Sequence, residues 1–227
     1  MEKKNYAVAI DGPSGAGKST LAKAAASELG ILYVDTGAIY RSIGYYVYTQ
    51  GIDPEDSAAV IAILPRLDIQ MRYGEDGVQR MILNGEDVSR QIRLPEMSMY
   101  ASAVSAIPEV RTYLLEMQRQ LARENSVIMD GRDIGTVVLP DAEVKIFLTA
   151  AAEERARRRM KELEERGTPQ PFEEVLRLIE ERDWADSHRA AAPLKQADDA
   201  ILLDTGALSF AESLEALLQI VRGRVEA

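Results

Sequence analysis

The chain has no cysteine, which excludes disulfide staples, thiolate nucleophiles and cysteine-ligated zinc and agrees with a reducing compartment. Its one histidine, His188, supplies neither a His-rich metal cluster nor a ready partner for a serine nucleophile. Aromatics are sparse at 6%, and 27 Lys and Arg stand against 37 Asp and Glu. The formal charge of -10 repels DNA, RNA and anionic membrane surfaces, and no basic, aromatic-rich stripe exists to stack bases. No uncharged apolar run approaches the roughly 18 residues that span a bilayer. The run Ala7-Val8-Ala9-Ile10 stops at Asp11, too short for the apolar core of a secretory signal. These absences predict a soluble cytoplasmic protein without nucleic-acid or membrane partners, no obligate protein partner being evident, and any polyanion it binds must be held locally.

What is present is an ordinary globular composition, 46% hydrophobic and 28% charged over 227 residues, enough for one or two domains at about 100 to 200 residues each. Five short apolar runs end at turn residues: Tyr6 to Ile10, Ile31 to Val34, Val127 to Met129, Val144 to Leu148 and Ala200 to Leu203. Several are apolar throughout, as strands buried on both faces must be, and helix-period stretches separate them. The clearest of these run through Val110, Leu114, Met117 and Leu121, and through Phe210, Leu214, Leu217, Leu218 and Val221. This alternation predicts an α/β fold with a five-stranded parallel core sheet.

Two stretches depart from it. Between Leu67 and Val88 apolar and polar residues alternate, interrupted by Gly74-Glu75-Asp76-Gly77 and by Asn84-Gly85, which predicts a small antiparallel insert between the second and third core strands. The other is Gly167-Thr168-Pro169-Gln170-Pro171, a loop between charge-rich helices over roughly 153–166 and 173–187, with the look of a flap tip.

Directly after the first run stands Gly12-Pro13-Ser14-Gly15-Ala16-Gly17-Lys18-Ser19-Thr20, a G-x-x-x-x-G-K-[ST] loop leading into a helical segment closed by Gly30. Glycines let backbone N–H groups wrap a phosphate, the helix N-terminus favours its charge, Lys18 bridges the outer phosphates and the Ser19 hydroxyl suits Mg2+. The third run delivers Asp130 at its carboxyl end, the usual acidic companion of such a loop. A nucleoside triphosphate with Mg2+ is the ligand implied. In the flap helices, Glu153 with Arg157 and Glu154 with Arg158 read as surface pairs. Arg155 and Arg159 share a face with no acid four residues N-terminal to either, and Arg182 and Arg189 lie on or just past the next helix. Neither the D-x-x-G switch nor the N-K-x-D base reader of a regulatory GTPase occurs.

Taken together, Ile10 to Lys18, Asp35-Thr36-Gly37-Ala38-Ile39-Tyr40-Arg41, Asp130-Gly131-Arg132-Asp133-Ile134-Gly135-Thr136-Val137-Val138, and Arg182-Asp183 with Arg189 and Ala192-Pro193-Leu194 resemble the bacterial cytidylate kinases of the nucleoside monophosphate kinase superfamily. The resemblance covers essentially the whole chain, the antiparallel insert included. It implies transfer of the ATP γ-phosphoryl to CMP or dCMP, and a division into a P-loop core (1–37, 97–152 and 190–227), a monophosphate-binding part (38–96) and a short helical lid (153–189). It also implies that Gly12 to Thr20 with Arg155 and Arg159 hold ATP. By the same resemblance Arg41, Arg132 and Arg189 hold the acceptor phosphate, and Asp186 with Arg182 or Arg189 reaches the ribose. Ser102, Arg111 and Asp133 read cytosine, Asp35 lies beside the acceptor, and Lys18, Asp130, Arg132, Arg159 and Arg182 serve catalysis.

Cytosine offers a 4-amino donor and an N3 acceptor, which suits a carboxylate or hydroxyl beside a guanidinium; uracil reverses both groups. The phosphate machinery itself does not identify the base, so UMP, AMP or dTMP remain possible acceptors at this point, and an NTP-binding regulatory module or an RNA-associated NTPase are readings of other classes.

Overall fold

The structure, a computed structural model, describes residues 5–75, 77–165 and 167–225. Residues 76 and 166, within the expected hairpin turn and at the end of the first flap helix, lie outside the described residues. By its packing the chain forms two compact units, one comprising residues up to Tyr33 and from Ala122 onward, the other Val34–Leu121.

A five-stranded parallel sheet draws four strands from the first unit, and its remaining strand, Leu32–Asp35, runs across the boundary between the units. Its strands are β1 (Ala7–Asp11), β2 (Leu32–Asp35), β6 (Val127–Gly131), β7 (Val144–Thr149) and β8 (Ile201–Asp204), in the order β2-β6-β1-β7-β8. β1 lies in the middle, pairing Ala7 with Val127 on one side and Val8 with Val144 on the other. A central strand meets packed side chains on both faces, which is why all five of its residues are buried and why its sequence is a continuous apolar run until Asp11. Val8, Ile10, Ile128, Ile146 and Leu148 join Leu21 and Ala25 of α1 (Lys18–Leu29) and Leu217 and Val221 of α8 (Phe210–Val225) in one core. α1 ends at Gly30, whose φ of 64° puts it in the left-handed conformation, its N–H closing back on Ala26 and Ser27.

The charge-rich helices are α6 (Ala152–Glu165) and α7 (Phe172–His188), on either side of the Pro-containing loop. They share a small core of Ala156, Val175 and Ile179 with Met160, Leu163 and Phe172 against it.

The second unit holds an antiparallel sheet, β3 (Ile69–Tyr73), β4 (Gln79–Leu83) and the short β5 (Glu86–Asp87), where the alternating stretch placed it. Asn84 and Gly85 both have positive φ, 50° and 88°, the backbone of the two-residue turn that an Asn-Gly pair favours. Around the sheet lie α2 (Thr36–Thr49), α3 (Ser57–Ile63), α4 (Met97–Ser105) and α5 (Pro108–Glu124), the last running past the unit's end. Ile39, Ile43 and Val47 of α2 recur every four residues, fully buried with Ala101 and Val104 of α4 and Met81 of β4 in one core. Among the described residues no helix is long and apolar enough to cross a membrane.

Candidate active site

The glycine-rich loop leaves β1 at Gly12. A Cβ there would sit 1.9 Å from the Leu148 carbonyl oxygen, so no other residue fits and the loop starts flush against β7. Gly17, at φ 89°, caps α1 without a side chain, and no acid occupies the first turn. The first N–H groups of α1 therefore point outward with no side-chain cap, which is the standing requirement for an anion to bind there. Lys18 is buried, with Nζ donating to the carbonyls of Gly12 and Pro13 at 2.7 Å each. Burial, and then the positive charge of Arg132, hold its pKa well below the ordinary lysine range. A buried cation under such pressure gains most from an arriving phosphate.

Ser19 follows on α1 and donates through Oγ to Asp130 Oδ2 at 2.8 Å. The second oxygen of Asp130 accepts from the Tyr33 hydroxyl, also at 2.8 Å, so both carboxylate oxygens are oriented although the residue is only 5% exposed. Hydroxyl and carboxylate form a pair of hard oxygen donors at the mouth of the helix, a set that fits Mg2+, an ion that takes one or two protein oxygens and completes its shell with phosphate oxygens and water. Tyr33 carried no motif signal and was not anticipated.

Past β6, Arg132 donates through Nε to Asp186 Oδ2 of α7 at 2.7 Å and through Nη1 to the Gly131 carbonyl. Burial pushes the Asp186 pKa up, but Arg132, Arg182 and Arg189 together outweigh it and hold the carboxyl below its usual value. Arg189, at the end of α7, lies 3.6 Å from Asp133 and donates through Nε to the Ala192 carbonyl. Asp133, Asp186 and Arg189 are all nearly inaccessible, a polar cluster assembled from two distant parts of the chain.

The α6 arginines divide by burial. Arg155, 5% exposed, forks onto both oxygens of Asp183 on α7 and also donates to the carbonyls of Ser14 and Ala150. Its acid comes from the neighbouring helix, which an inspection of α6 by itself does not reveal. Arg159 is on the surface and meets Glu162 one turn C-terminal, at 2.9 Å. Arg157 pairs with Glu154 rather than with Glu153. Arg158, read from sequence as a surface partner of Glu154, does approach it at 3.4 Å but also donates to the Thr205 carbonyl at 2.7 Å and lies beside Gly17. It thus ties the flap helix to the segment after β8, a role with no signal in spacing.

In the second unit, Asp35 is the N-cap of α2. It accepts from the Ala38 N–H at 2.9 Å and from Arg41 Nη2 at 2.8 Å, so one carboxylate both starts the helix and orients the arginine six residues on. Arg111 donates to the Ser105 carbonyl at 3.0 Å and lies 5.4 Å over the Tyr40 ring. The Ser102 carbonyl accepts the Ser105 hydroxyl, joining these residues into one polar corner.

The family model for cytidylate kinase matches residues 8–223. A cytidylate kinase from Caldicellulosiruptor bescii is 51% identical over 97% of this chain and 96% of its own length. One from Carboxydothermus hydrogenoformans is 48% identical over 94% and 96%, and one from Lactobacillus johnsonii 46% over 98% of each. Among solved structures, an uncharacterized protein from Eubacterium ventriosum superposes with a TM-score of 0.55 at 15% identity, covering 97% of this chain and 100% of that one, a likeness of fold. A match at this identity along nearly the whole length settles the lineage: the chain belongs to the cytidylate kinase family.

Proposed function

We propose that the protein transfers the γ-phosphoryl of ATP to CMP or dCMP, giving ADP and CDP or dCDP. The observation that supports this most strongly is the conjunction, at the uncapped start of α1, of buried Lys18 with the Ser19–Asp130 pair, in a chain of this family. The loop from Gly12 to Thr20 takes the triphosphate on its N–H groups. Lys18, held by two carbonyls, exchanges part of that contact for the outer phosphate oxygens. Ser19 and Asp130 are the residues that would hold Mg2+, and the ion would supply charge neutralisation to the triphosphate.

On the acceptor side we assign the CMP phosphate to Arg41, Arg132 and Arg189, the ribose to Asp186 with Arg182 or Arg189, and the base to Ser102, Arg111 and Asp133. Asp35 acts through Arg41, whose guanidinium it orients. An acceptor phosphate oxygen attacks the γ-phosphorus while the bond to the β–γ bridging oxygen breaks, and the electron pair leaves with ADP. The second pKa of a phosphate monoester is about 6, so the attacking oxygen is already ionised near neutral pH and no side-chain base is needed. His188, exposed and stacked on Trp184, is free of that duty. Helices α6 and α7 act as the lid that excludes water, with Arg155 as its strut on the phosphate loop and Arg159 and Arg182 neutralising charge on the transferring group.

Incubation with ATP, CMP and Mg2+ is expected to yield CDP and ADP in equal amounts by chromatography, and addition of EDTA to stop it. ATP loss with phosphate release and no CDP would overturn the proposal.

A further inference from the structure

Asp11 ends β1, and the assignments above leave its carboxylate without a role. It is 4% exposed, and Oδ1 accepts the Ile134 N–H while Oδ2 accepts the Gly135 N–H, each at 2.7 Å. These two amides open a π-helical turn, Ile134–Val138, whose preceding residue Asp133 gives no side-chain cap. The opening N–H groups of any helical turn lack partners within it, and here a carboxylate from more than a hundred residues away supplies them.

The same peptide is packed as well as bonded. A Cβ on Gly135 would lie 3.2 and 3.3 Å from the Lys145 side chain and 3.4 Å from Asp11 Oδ2, and Lys145 is itself fixed by Asp199 at 2.8 and 3.0 Å. Immediately before this turn come Arg132 and Asp133, tied to Asp186 and Arg189. Burial pushes the Asp11 pKa up to about 6, with the two amides drawing it partly back. A carboxylate kept where ionisation is disfavoured, both oxygens engaged by one turn, serves geometry.

We propose that Asp11 is a positioning residue for the acceptor. By holding the Ile134 and Gly135 amides it sets the turn that carries Arg132 and Asp133, and it couples their placement to the phosphate loop that begins at the next residue. This rests on the reading of Arg132 and Asp133 as acceptor-binding groups.

The test compares the wild type with Asp11→Asn and Gly135→Ala. Asparagine keeps the shape but offers one acceptor oxygen, and its amide group opposes the second N–H donor. The KM for CMP is expected to rise about tenfold or more, a loss of the size of a charged hydrogen bond, while the KM for ATP stays within about twofold. Exchange of the Ile134 and Gly135 amide hydrogens is expected to accelerate in the same variant. Gly135→Ala leaves the charge and crowds the turn against Lys145 and the Asp11 carboxylate, so it is expected to give the same split. The double variant is expected to fall short of the product of the two single effects, as coupled sites do.

An unchanged KM for CMP alongside accelerated exchange would overturn the proposal. So would KM values for ATP and CMP that rise together, since Asp11 would then act through Lys18, whose charge it also faces. If Asp11→Asn does not fold, Gly135→Ala decides: a rise confined to CMP supports the role and no rise overturns it. Failure of the functional reading would show separately, as a wild type that prefers another acceptor, whose KM then replaces that of CMP in the comparison.

Discussion

Lys18 is buried with its Nζ on two carbonyls, and burial disfavours its charge, so an arriving anion as proposed would relieve a cost the fold carries. Lys18→Ala is expected to lower kcat about 100- to 1000-fold with an unchanged circular dichroism spectrum; near-normal turnover would refute its place on the phosphates. Asp11 makes a pH prediction. Its folded pKa near 6 lies above the ordinary 3.8, so its contribution to stability is fully present below about pH 4 and is lost as pH rises through 6. Lys18 and Asp133 are the charges that act on it. Relative to Asp11→Asn, the wild type is expected to lose about 3 kcal/mol between pH 4 and pH 7, read from denaturant melts, and a difference independent of pH would contradict this assignment. For Arg111→Ala the expected outcome is a fall of about tenfold in the preference for CMP over UMP, measured as the ratio of kcat/KM values, whereas an unchanged ratio would remove it from base recognition.

Helices α6 and α7 are joined through few apolar groups, so their ion pairs divide sharply in worth. Asp183→Ala strands the buried Arg155 guanidinium and is expected to cost about 3 kcal/mol by denaturant melt, while Glu162→Ala, which frees the exposed Arg159, should cost under about 0.5 kcal/mol. Trp184, the single tryptophan, lies on α7 two residues from both Arg182 and Asp186, so saturating MgATP with CMP is expected to shift its fluorescence if these helices act as the lid. Elements with a strong period or a turn dipeptide were legible in the sequence: the apolar runs became core strands, and Asn84-Gly85 became a tight turn. α2 was not legible as a helix, because its tyrosines, Ile and Val favour strands, and it is held by Asp35 at its start and by packing of Ile39, Ile43 and Val47. Arg155 shows the same limit at a site. Its acid, Asp183, is 28 residues away, and an i to i+4 search within one helix does not reach it.

At the scale of the molecule, an acidic chain binds substrates that are themselves polyanions, and the arrangement of charge answers how. The net charge is -10, yet of the cations proposed for the phosphates Lys18 is buried, and Arg132 and Arg189, with side chains 19% and 8% exposed, are set against Asp186 and Asp133. If these cations hold phosphates as proposed, they act at short range, because burial limits their screening by water. The parallel sheet explains how residues far apart in sequence come to these places. Asp11 ends β1 and Asp130 lies one residue before the end of the neighbouring β6, Gly12 presses on β7, and Thr205 follows β8. Motif spacing made the phosphate loop legible and the family resemblance suggested the acceptor residues, but the long-range contacts of Tyr33, Arg158 and Asp11 exist only once the sheet is formed.

Recognition of cytosine is read out by ADP release with MgATP and, in parallel, CMP, dCMP, UMP, AMP, dTMP or no acceptor. The expected result is kcat/KM for CMP and dCMP at least about tenfold above every other acceptor, as reversal of one buried donor and acceptor set requires. Equal or greater activity with UMP, AMP or dTMP would contradict the roles given to Ser102, Arg111 and Asp133, and ADP release independent of any acceptor would contradict the kinase itself.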